Sequence, residues 1–78
     1  MSLLEEKLLL AKTVLSCLEK EGGSMRWTPL LKSALRQGGT PHTFQSIMGF
    51  LMKKGYVERA NRGVYRITAK GTSFLESL

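Results

Sequence analysis

Leu4, Leu8, Ala11, Leu15 and Leu18 recur every third or fourth position. At about 100° per residue they fall within an arc of roughly 80°, which predicts a helix over residues 3–21 with one core-facing stripe. Gly22-Gly23 ends it. A second apolar set, Leu3, Leu10, Val14 and Cys17, lies beside the first and widens the arc beyond one contact face. In so short a chain that surplus is expected to touch something else, most simply a second copy of the chain.

The segment SMRWTPLLKSALRQGG follows. Met25–Trp27 is too short for an independent strand but can lend an edge strand to a sheet. Thr28 is a natural N-cap with Pro29 at the first helical position. Leu30, Leu31, Ala34 and Leu35 then mark a short helix that Gly38-Gly39 stops. Thr40-Pro41 repeats the same opening chemistry and starts a helix over residues 41–54, which Gly55 terminates.

YVERANRGVYRIT reads as a hairpin whose register follows from parity. A two-residue turn at Asn61-Arg62 would oppose Val57 to Arg66 and Glu58 to Tyr65, mixing polar with apolar. A three-residue loop, Asn61-Arg62-Gly63 with a left-handed Gly63, pairs Val57 with Ile67 and Arg59 with Tyr65 on one face and Glu58 with Arg66 on the other. The second register sorts the faces and is the one expected. Thr68 caps a last helix, with Phe74, Leu75 and Leu78 facing inward. Neither repeats nor low-complexity tracts interrupt the chain. The order predicts one α+β domain over residues 1–78, mostly α: a three-helix helix-turn-helix core, a β-hairpin wing and a C-terminal helix.

On a wheel of residues 41–54, His42, Gln45, Ser46, Gly49 and Lys53 fall between about −60° and +40° of His42, and Phe44, Ile47, Met48 and Leu51 oppose them. A merely solvated face usually carries mixed charges and strong helix formers. This one has no acid, and Gly49 costs about 1 kcal/mol relative to alanine in a helix interior. A small, neutral, hydrogen-bonding surface ending in Lys53 and Lys54 suits a DNA major groove: glutamine can bond adenine N6 and N7, serine adapts to either base edge, and lysines meet phosphates. Gly49 either allows close approach to such a partner or relieves crowding within the chain. His42 is either a hydrogen-bonding group toward DNA or a solvated side chain.

Charge sharpens this picture. Of the twelve Lys and Arg residues, nine lie in residues 22–70 against Glu58 alone, a local balance of +8. Residues 1–21 hold three bases and four acids, and the last eight residues add only Glu76, so the total returns to +6. With a pI near 9.9, the excess points to a polyanion partner or to a basic surface with no occupant. Lys32 and Arg36 on the second helix join Lys53 and Lys54 as candidate phosphate contacts. Arg66 is expected to be taken up by Glu58, whereas Arg62 at the hairpin tip has no carboxylate in easy reach. Arg62, supported by Asn61, is the candidate minor-groove or phosphate contact.

Composition excludes other classes. A chain of 78 residues with 42% hydrophobic content and mean hydropathy of −0.10 fits a small globular domain with a modest core. Its longest apolar run, Leu8 to Ala11, spans no membrane. Glu5 and Glu6 among the first leucines argue against a signal peptide, and the lone Cys17 fits a reducing, cytoplasmic setting and a packing role. Trp27 is read as a core or hinge aromatic. His42 has no cysteine or acid partners for a metal, and no cofactor is expected. Cys17 and His42 lie on different helices and nothing supplies paired titratable groups, so no enzyme is expected.

Three stretches carry a family resemblance. MRWTPLLKSAL resembles the start of the second helix in bacterial and archaeal winged-helix regulators of the HxlR, MarR and PadR kind. TPHTFQSIMGFLMKKGYVER resembles their recognition helix and its exit, and GVYRITAKGTSFL resembles the segment that closes their wing and opens the last helix. The likeness covers roughly residues 25–75. It implies a dimeric regulator that binds double-stranded DNA, with Thr43, Gln45 and Ser46 as base readers and Arg62 in the wing. This chain departs from many relatives in carrying Gly49 where they have a charged residue. It has no evident small-molecule effector region. Leu3, Leu10, Val14, Cys17, Phe74 and Leu78 are the expected dimer contacts. The competing reading is a protein-interaction module within a larger nucleic-acid-associated assembly, for which Phe50 and Met52, flanking the polar face, would be the contacts. RNA or single-stranded DNA normally calls for more exposed aromatics.

Overall fold

A computed structural model describes the backbone of residues 3–78 and the side chains of residues 7–78. In chain order it contains α1 (Leu3–Lys20), β1 (Ser24–Arg26), α2 (Trp27–Arg36), α3 (Pro41–Lys53), β2 (Val57–Asn61), β3 (Val64–Ile67) and α4 (Ala69–Glu76). The architecture is α+β and mostly helical, with one antiparallel sheet in the order β1-β3-β2. No described helix is long and apolar enough to cross a membrane.

The core is the place where the helical stripes meet. Ala11, Val14, Leu15 and Leu18 of α1 pack with Leu30 and Ala34 of α2, and with Phe44, Ile47, Met48 and Leu51 of α3. Val57 closes the end nearest the sheet. All four α3 positions predicted to face inward do so, and this packing fixes which side of α3 is left to solvent.

Threonine chemistry sets the boundaries of two helices. At the start of α3, the Thr40 hydroxyl accepts from the Thr43 amide, and the Thr40 amide donates to Thr43 Oγ1 at 2.8 Å, a reciprocal cap. At the start of α4, Thr68 Oγ1 accepts from the Gly71 amide and donates to the Gly55 carbonyl at 2.6 Å. One side chain thus ties the exit of α3 to the last helix. Between them, Tyr56 stacks on Phe74 with 4.3 Å between ring centroids.

The hairpin adopts the parity-sorted register, with Val57 opposite Ile67, Glu58 opposite Arg66 and Arg59 opposite Tyr65. Toward the tip it differs from expectation. Asn61 rather than Ala60 opposes Val64, because a bulge between Arg59 and Asn61 absorbs one residue and leaves Arg62-Gly63 as the turn. Gly63 has φ of +70°, the left-handed conformation this turn requires.

Several expectations are corrected. Helix α2 begins at Trp27 rather than after Thr28, with Arg26 in the cap position and no side-chain cap bond. The reason is tertiary: β1 pairs Arg26 with Val64, the Trp27 amide donates to the Gly63 carbonyl, and the indole packs on Phe44 and Tyr65. Val14 is buried in the core instead of lying on a free second stripe, because α1 is covered by α2, α3, α4 and the sheet. Leu8 and Leu78, expected inside, are exposed near the ends of their helices. The side chains of Leu3 and Leu4 lie outside the described residues.

Candidate nucleic-acid interface

Helix α3 runs for thirteen residues with neither Asp nor Glu, and its outward side gathers His42, Gln45, Ser46, Gly49 and Lys53, all exposed. The opposite side is sealed in the core, so these groups cannot turn inward without breaking the packing of Phe44 and Leu51. Gly49 stands in the middle of this face. A Cβ built on it would meet nothing within 4 Å. Crowding against other parts of the chain therefore does not require a glycine here.

Thr43 belongs to the cap of α3. Its hydroxyl accepts from the Thr40 amide and donates to the Thr40 carbonyl at 3.0 Å. A threonine three residues after a threonine cap lacks the Glu or Gln of the usual pattern, and its role could not be read from residue type.

Exposed cations lie on α2, at the end of α3 and at the hairpin tip. Lys53 and Lys54 stand at the C-terminal end of α3, and Lys32 and Arg36 are exposed on α2. At the hairpin tip Arg62 is exposed, and the Asn61 side-chain oxygen accepts from the Arg62 amide at 2.8 Å. Asn61 thus shapes the turn that presents Arg62. Arg66 pairs with Glu58, as parity predicted, and this is the only ion pair among the described residues. None of Lys32, Arg36, Lys53, Lys54 or Arg62 has a carboxylate partner there.

The aromatics have structural partners. Trp27 meets Phe44 edge-on at 4.7 Å and Tyr65 at 5.4 Å, which locks the start of α2 to α3 and the sheet. Phe50 leans on Tyr56 at 6.4 Å yet remains 38% exposed, with Met52 at 40%. Both flank the α3 face as expected.

The expected dimer contacts are less available than the sequence suggested. Val14 is fully enclosed, while Leu10, Cys17 and Phe74 are half-buried against the protomer's own core. Leu78 is exposed. Among the described residues of α1 the most exposed apolar side chain is Leu9, at 56%, which falls in neither predicted stripe. Among the described residues no group of three or more His, Cys, Asp or Glu side chains could hold a metal ion. No protein-family model matches the chain, and a search of curated proteins finds no match.

Proposed function

We propose that the chain is a winged helix that binds double-stranded DNA with sequence selectivity, α3 entering the major groove and the β2–β3 turn lying as a wing on the minor groove or its phosphates. The observation that supports this reading is the face of α3. It is exposed, acid-free and small, with an empty space over Gly49 that nothing in the chain itself demands. The major groove is about 12 Å wide and admits a helix, and a helix that lies deep in it gains from a position without a side chain. Gln45 and Ser46 supply base-edge contacts, and Lys32, Arg36, Lys53, Lys54 and Arg62 supply phosphate contacts.

Two copies acting together would read two half-sites about 34 Å apart, one turn of DNA. The exposed Leu78, just beyond the end of α4, is the surface proposed for that association.

A second reading, docking onto another protein, is favoured by the exposed Phe50 and Met52. A gel shift of random-sequence duplex at two salt concentrations separates the two. DNA binding predicts a shift at low salt that fades at high salt. A protein-docking surface predicts no shift at either.

A further inference from the structure

Lys7 and Lys12 belong to the one stretch of sequence whose charges nearly cancel, and the linear charge balance gives them no role. The fold brings them to a groove of about 750 Å³ between α1 and the first turns of α3. Lys7, Leu9, Leu10 and Lys12 line it from α1, and His42 and Ser46 from α3. Among the described residues no carboxylate lines it, and neither lysine forms an ion pair there.

The groove is held in shape by close packing. A Cβ on Gly39 would sit 3.0 Å from the Ala34 carbonyl oxygen and 3.2 Å from Leu10 Cδ1, so the α2–α3 turn rests directly on α1. Its wall is therefore part of the fold. Lysine stems lie well along apolar surface such as Leu9 and Leu10 while the ammonium groups reach outward.

We propose that this groove seats a sugar–phosphate strand of duplex DNA beside the major groove occupied by α3, with Lys7 and Lys12 each neutralising a phosphate. The inference rests on the DNA-binding reading above. Two features favour this occupant. The groove is continuous with the α3 face, since His42 and Ser46 belong to both. Its charge among the described residues also complements a phosphate strand: Lys7 and Lys12 flank the N-terminal half of α3, as Lys53 and Lys54 stand at its C-terminal end. A helix inside a groove about 12 Å wide has a strand close on each side, so phosphate contacts are expected beyond its own residues.

The test is fluorescence anisotropy of a labelled duplex over a salt series, comparing wild type with Lys7→Ala/Lys12→Ala and with Lys20→Ala. Lys20 is on the same helix outside this groove, and all three lysines are exposed, so the variants retain the fold, checked by circular dichroism. Each phosphate contact contributes about 0.9 to the slope of log affinity against log salt, so the double variant should lose about 1.8 of slope. Its affinity should fall for all sequences alike, with Lys20→Ala matching wild type. An unchanged slope in the double variant, with or without weaker binding, overturns the groove assignment alone. Wild-type protein that binds no duplex at low salt overturns the DNA reading and this inference with it.

Discussion

Glu58 and Arg66 face each other across the hairpin and pair through Oε1 and Nη2, so the one acid of residues 22–70 is neutralised beside the turn that carries Arg62. Their side chains are 46% and 55% exposed, so the pair adds at most about 1 kcal/mol to stability. Glu58→Gln should therefore leave the melting temperature nearly unchanged. It should also strengthen binding to random duplex, because Arg66 becomes available to phosphates. Weaker DNA binding by this variant would mean that the hairpin does not face the duplex.

Two glycines should respond in opposite ways to alanine. At Gly71 a Cβ would fall on the Tyr56 carbonyl oxygen and 2.9 Å from Ile67 Cγ1, where α4 crosses the exit of α3. Gly71→Ala should cost more than about 2 kcal/mol in denaturant unfolding, as overpacking against backbone does. Gly49→Ala meets only open space and should stabilise the fold by about 0.5–1 kcal/mol. The same change should weaken DNA binding. A stabilised variant with unaltered affinity would show that Gly49 makes no close approach.

Base reading and phosphate binding should separate. Gln45→Ala should relax preference at one base position, at a cost of about 1–3 kcal/mol for the preferred site. Arg62→Ala should weaken all sequences alike. Competition binding with selected and random duplexes distinguishes the two, and equal effects on both duplexes would move base reading elsewhere.

Self-association should follow Leu78 rather than Val14. Val14→Glu buries a carboxylate among Leu15, Leu18 and Phe44 and should unfold the domain. Leu78→Glu alters an exposed position and should keep the fold while shifting a dimer to monomer in sedimentation velocity. A wild-type monomer at tens of micromolar would remove the dimer from the account.

What could be read from the sequence was local or governed by symmetry. The α3 face followed from helical period, its start from Thr40-Pro41, and the hairpin register from parity, since a one-residue slip would have exchanged its two faces. What could not be read depended on partners distant in sequence. The start of α2 is set by the pairing of β1 with β3 and by the contact of Trp27 with Phe44 and Tyr65, and these displaced the capping preference of Thr28. Val14 of the second α1 stripe is enclosed because a helix covered on several sides buries a wider arc than one contact face. Lys7 and Lys12 were passed over because a charge count along the chain cannot show that α1 lies beside α3.

The most direct test of the account is a titration of the isotope-labelled protein with duplex DNA, followed by amide chemical shifts. The account predicts the largest changes at His42, Gln45, Ser46, Gly49 and Lys53 on α3 and at Arg62 and Gly63 in the turn, with little change along α4. Changes centred on Phe50, Met52 and α4, or no changes at low salt, would contradict it.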